Sequence, residues 1–258
     1  MSTPLPSFER PPVIEVVVGA QFGQVPIEAA HIGLFWQKLR NQYPRVESHP
    51  PLMPPLDAAS NLIQVDLTSV PPIPRSFFID SSDSWLVQFQ PDRLLHNWRK
   101  RGDEQYPRFE AVYSRFEGAW LAFNEFCGSE GLNLAVKQLE VTYINHIVEG
   151  RDWQRGDDFG KLFRDLSWGA KAVTPDPIAT AVTYAFTLPI GQMTVSIKQA
   201  KRMTDDKLIL ICELTVRGSC KEQELSCIRN WHFDARASIV HAFAELTTDE
   251  VQKSWGRL

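Results

Sequence analysis

PRFEAVYSRFEGAWLAFNEFC at residues 107–127, followed by LEVTYINHI at residues 139–147, decides the class of fold. In the first stretch Phe109, Val112, Phe116, Trp120 and Phe123 recur at steps of three or four, which lays one aromatic stripe along a helix. Gly128 and Gly131 are expected to end it, because glycine accepts the left-handed backbone of a helix terminus. In the second stretch the period drops to two. Leu139, Val141, Tyr143, Asn145 and Ile147 share one face, and Thr142, Ile144 and His146 share the other. A long helix followed by a long, central strand predicts an α+β fold.

The same reading extends to both sides. Residues 13–22 are β-branched and apolar and read as a buried strand. Ile32, Phe35 and Leu39 mark a helix over residues 28–40, expected to stop before Pro44. Residues 49–55 are too rich in proline to enter a sheet interior. Strands are predicted at 62–67, 76–79 and 85–89, the last two joined by the polar link Asp80-Ser81-Ser82-Asp83-Ser84. Beyond Gly150, a short helix is expected over 159–168 and a turn at 174–177. A meander of strands comes next at 180–188, 193–201 and 208–217, linked by Pro189-Ile190-Gly191 and Asp205-Asp206. A second long helix, 228–246, carries Phe233, Ala237, Val240 and Ala244 on one side. The side chains of Thr247-Thr248-Asp249-Glu250 start a last short one.

The expected architecture is therefore α+β: mainly antiparallel sheets backed by long amphipathic helices, in two packed lobes of related layout. The lobes are placed at 1–150 and 151–258, with the boundary at residues 150–156. Each lobe shows a hairpin and then a long helix. The likeness is one of order rather than of residues, so the frequency with which helices back antiparallel sheets accounts for it as well as duplication does.

Composition narrows the function classes. The chain has 258 residues and a net charge of -4, with 43% hydrophobic and 22% charged residues, ordinary values for a folded, soluble chain. Residues 1–9 carry no basic segment leading into an apolar one, and no run of ~18 apolar residues occurs, so neither a secretion signal nor a membrane span is expected. Cys127, Cys212, Cys220 and Cys227 show no tight pairing and read as reduced thiols of a cytoplasmic protein.

No phosphate-cradling glycine motif, zinc-binding cysteine pair, H-E-x-x-H or nucleophile elbow is present, which leaves no catalytic, cofactor-binding or metal residues to name. Cys220, Cys227 and His232 are the nearest approach to a metal set, and their spacing fits no known ligand pattern. His146 lies across the strand from Tyr143 and Asn145, which argues for a structural histidine, and His241 reads as helix-flank packing. Arg99-Lys100-Arg101 is the only basic run, and Asp103-Glu104 comes directly after it. Direct nucleic-acid binding is therefore not expected. The stretch QPDRLLHNWR, residues 90–99, is more suggestive. Arg93, Asn97, Trp98 and Arg99, with Tyr106 and Arg108, form a candidate binding patch if exposed and a satisfied polar network if buried. Tyr143 and Asn145 are candidates for lining a small-ligand pocket.

PPVIEV (11–16), QPDRLLHNWR (90–99), YPRFE (106–110) and EVTYINHI (140–147) resemble the recurring blocks of a sporadically distributed, functionally uncharacterised bacterial family. The resemblance implies a cytoplasmic prokaryotic protein of patchy distribution, as defence and toxin–antitoxin genes often are, and supplies no catalytic residues. The leading expectation is a non-enzymatic interaction or regulatory protein whose partner is another protein. It would be the neutralising or accessory member of a toxin–antitoxin or anti-phage pair. The alternatives are a small-ligand sensor and a hydrolase or nuclease with scattered acidic residues.

Overall fold

A computed structural model describes residues 4–23, 25–52, 73–154, 159–166, 172–173, 179–220 and 222–258. The strand expected at 62–67 and the turn at 174–177 lie outside these residues. Strand β1 (Val13–Phe22) leads to helix α1 (Ala29–Leu39), then β2 (Arg45–His49), β3 (Arg75–Ile79), β4 (Trp85–Gln90) and β5 (Arg93–Arg99). Helix α2 (Phe109–Ser129) and strand β6 (Val136–Val148) come next. The chain continues through α3 (Phe159–Leu162), β7 (Ala181–Leu188), β8 (Gly191–Lys201), β9 (Leu208–Gly218), α4 (Leu225–Leu246) and α5 (Asp249–Ser254). The strands form an antiparallel sheet in the order β2-β3-β4-β5-β1-β6-β9-β8-β7. Among the described residues no helix is long and apolar enough to cross a membrane.

Contacts divide the chain into two compact units. One comprises residues 17–101 and 108–139, the other residues 1–16, 102–107 and 140–258. The division differs from a single cut near Gly150, because the chain passes between the units four times and residues 140–154 belong with the C-terminal part of the chain.

In the first unit the aromatic stripe of α2 is buried as its spacing predicts, from Phe109 to Phe123. Phe35 of α1 meets Phe89 and Phe123 at 5.2 Å between ring centroids, Phe126 at 5.6 Å and Phe78 at 5.9 Å. Burying several such rings is the main stabilising term here, at about 1.5–3 kcal/mol for each large apolar side chain. Helix α2 continues through Gly128. It ends where Gly131 takes a φ of +66° and the Leu132 amide donates to the Cys127 carbonyl at 2.8 Å.

The second unit gathers Phe8, Phe243 and Trp255, with ring centroids 5.4–6.3 Å apart. Its residues 7–10 and 255–258 are joined through the backbone. The Glu9 amide donates to Gly256 (2.9 Å), that of Arg10 to Trp255 (3.0 Å) and that of Leu258 to Ser7 (2.9 Å). Helix α4 packs on β9. Its buried residues are Ile228, Trp231, His232, Ala235, Ile239, Phe243 and Ala244, so the expected stripe is corrected in three of its four members: Ala244 is buried, but Phe233, Ala237 and Val240 are only half-buried. Both stripes have helical spacing, and the face bearing Trp231 buries the larger surface. Phe233 instead carries the Arg229 guanidinium over its ring, 5.6 Å from the centroid.

Candidate interaction surface

The β3–β4 turn is built by its own polar side chains. Asp80 accepts from Ser82 Oγ (2.7 Å) and from the Trp85 amide (3.1 Å), and Asp83 occupies φ +63°, a conformation aspartate tolerates better than most residues. Sheet register then delivers arginines to that turn. Arg45 opposes Ile79, the residue before the turn, and the Arg99 amide donates to Ser84 O at 2.8 Å. Three guanidiniums converge on Asp83: Arg99 at 2.7 Å, Arg101 at 2.6 Å, and Arg45. Arg99 Nε also donates to the Asp83 carbonyl at 2.9 Å. Partial burial pushes the Asp83 pKa upward. Arg99, Arg101 and Arg45 outweigh it and hold the carboxyl below its ordinary range. Glu47, 3.5 Å from Arg45, is the one further carboxylate paired with these arginines among the described residues. Three positive charges therefore face two negative ones on a surface where Arg45 and Arg101 are 51% and 43% exposed.

The proposed patch is corrected in three of its members. Arg93, Asn97 and Trp98 are buried, because residues 93–99 of QPDRLLHNWR form a hairpin arm (β5) covered by α2. Arg93 pairs with Asp92 (2.8 Å), and Asn97 Oδ1 accepts from Gln88 Nε2 (2.8 Å), whose Oε1 accepts from Arg75 (2.9 Å). Here the polar network is the outcome, and these groups present nothing to a partner. Arg99 is largely buried but not fully covered, and Arg108 is exposed at φ +74° before α2. Tyr106 is half-buried, with its hydroxyl 2.8 Å from that of Tyr143.

That bond also answers for the suggested pocket. Tyr143 is spent on Tyr106, and Asn145 Nδ2 donates to Cys212 O at 3.1 Å, so neither aims a polar atom into open space. The described cleft, about 360 Å³, is lined instead by Pro4, Pro6, Arg164, His241, Ala244, Glu245 and Arg257. Asp249 already holds Arg164 at 3.0 Å.

His232 turns Nδ1 to its own helix, 2.8 Å from Ile228 O, leaving Cys220 and Cys227 as a neighbouring thiol pair. Burial and then Cys227 push Cys220 up to about 11, so it is a protonated thiol at neutral pH. Among the described residues no three His, Cys, Asp or Glu side chains gather as a metal would require. Burial, then Arg202, holds the His146 pKa below its ordinary value.

His96, unremarked in the sequence, is a strongly perturbed imidazole. It is fully buried, its Nε2 lies 2.8 Å from Tyr43 Oη, and burial followed by Arg115 lowers its pKa to about 3. Unfolding restores a value near 6.5. Its contribution to stability is therefore whole above pH ~6.5 and declines as pH falls from there toward 3, by about 1.4 kcal/mol per unit. His96→Gln should remove about 2 kcal/mol of the stability lost between pH 7 and pH 5. Urea unfolding of both proteins at both pH values measures it, and equal losses would refute the assignment.

No protein-family model matches the chain, and no curated protein matches it.

Proposed function

We propose that this chain is a non-enzymatic interaction protein that docks an acidic surface of a partner protein onto the Arg45–Arg99–Arg101 cluster. One observation carries the reading: three guanidiniums share Asp83, and two of them are about half exposed. Arginine is over-represented among the residues that dominate protein interfaces, and its five donors match carboxylates in pairs. The chain's net charge of -4 disfavours a phosphate backbone as the partner. The narrower role, neutralising or accessory member of a toxin–antitoxin or anti-phage pair, rests on the family resemblance alone. The small-ligand alternative now rests on the Arg164–His241–Arg257 cleft rather than on Tyr143 and Asn145.

The test is affinity purification from the native host with the wild type and with Arg45→Glu/Arg101→Glu. Arg99, only 19% exposed, stays to hold Asp83, so the fold should survive. The variant is expected to lose an acidic companion by at least about tenfold in affinity, and wild-type binding should weaken as salt rises. Retention of every companion by the variant, or a nucleic acid as the companion, would sink the reading.

A further inference from the structure

Among the described residues the sheet ends at β2 and at β7, and the two edges are built differently. The β2 edge is five residues long and carries Arg45, Glu47 and His49, with Glu47 paired to both neighbours at 3.5 and 3.3 Å. Short length and charge are the ordinary devices that keep an edge from pairing with another chain. The β7 edge, AVTYAFTL, has eight residues with no charge and no proline, and among the described residues no strand lies beyond it.

Register shows what β7 presents. Leu188 pairs with Gly191 across the two-residue turn, and the Gln199 amide donates to Thr180 O at 2.9 Å. Antiparallel bonding alternates, so Val182, Tyr184, Phe186 and Leu188 bond toward β8, and the backbone groups of Ala181, Thr183, Ala185 and Thr187 point outward. The side chains tell a matching story. Met193, Val195 and Ile197 of β8 are buried and lie opposite Val216, Leu214 and Cys212 of β9. The same apolar row continues into Phe186, Tyr184 and Val182. There cover fades: Tyr184 and Val182 are half-buried and Phe186 is 42% exposed.

We infer that β7 is a homodimer interface, pairing antiparallel with β7 of a second copy. Centred on Ala185, a two-fold axis sets Thr183 against Thr187, Tyr184 against Phe186 and Val182 against Leu188 of the second copy. These are the aromatic and β-branched cross-strand pairs that stabilise sheets. The occupant follows from the strand itself: β7 is uncharged throughout and meets its own copy without repulsion, with its aromatic residues set against one another, whereas the β2 edge is guarded by Arg45, Glu47 and His49. The two-fold consumes both β7 edges and leaves only guarded ones, so assembly stops at the dimer. The interface belongs to a different unit from Arg45, Arg99 and Arg101, and the failure of either surface leaves the other untouched.

Sedimentation of the purified chain across a concentration series should show a monomer–dimer equilibrium with a dissociation constant on the order of 10 µM, as suits a small interface. Ala185→Lys places two ammonium groups face to face at the axis and should shift the chain to monomer at least about tenfold in that constant. Ala185 is exposed, so circular dichroism should remain that of the folded chain, and Tm measured well below the dissociation constant should not change. In the wild type, hydrogen exchange of the Thr183, Ala185 and Thr187 amides should slow as concentration rises. A wild type that stays monomeric, a dimer that Ala185→Lys leaves intact, open-ended oligomers, or exchange at those three amides that ignores concentration would each overturn the inference.

Discussion

Replacing Trp98 with alanine should lower the unfolding free energy by about 3–5 kcal/mol, the range for a large aromatic removed from a packed core. The indole is 2% exposed, in a strand buried along six of its seven residues and opposite Trp85. Trp85 itself lies under the Arg115 guanidinium, 4.2 Å from its centroid, so the truncation leaves a cavity beneath a charged cover. Any loss of partner binding in this variant would therefore report unfolding, and urea titration at neutral pH is the measurement that separates the two. A midpoint within error of wild type would mean that Trp98 is not packed as described. The exposed pair Arg45 and Arg101 probes binding without this cost.

Gly191→Ala should be nearly as damaging, at about 3 kcal/mol. The backbone at Gly191 has φ +143°, where an added side chain costs roughly 1–3 kcal/mol by itself. An added Cβ would also stand 2.1 Å from Arg217 O and 2.7 Å from Gly218 Cα, main-chain atoms that can give way only if β8 parts from β9. Overpacking of that kind adds roughly 1–3 kcal/mol. Gly33→Ala is the control: it lies mid-helix in α1 with nothing within 4 Å of the new carbon, and it should stabilise by about 0.5–1 kcal/mol. Thermal melts of the two variants should move in opposite directions. A shared direction would refute the account.

Elements with a marked period or composition were legible in the sequence. The stripe of α2, the alternation of β6, the apolar run of β1 and the turn at residues 80–84 all carry a period or a composition that local physics enforces. Strand β5 was hidden because its buried positions mix polar Arg93, His96 and Asn97 with apolar Leu94, Leu95 and Trp98, so neither an alternation nor an apolar run marks it. Strand β2 was hidden for a different cause: its residues are exposed apart from half-buried His49, so nothing apolar repeats. In α4 two faces had helical spacing, and only packing on β9 chose between them. The arginine cluster was half visible. Arg99 and Arg101 stand in the one basic run, but the register that brings Arg45 to Asp83, 38 residues away, is a property of the sheet and leaves no local mark.

The joining of residues 7–10 to residues 255–258 imposes an order on biosynthesis. Ser7, Glu9 and Arg10 find these backbone partners only at residues 255–258, after everything between has been made. The unit containing them stays unfinished until residue 258 has cleared the ribosome. Every residue of the other unit is already present once position 139 is out.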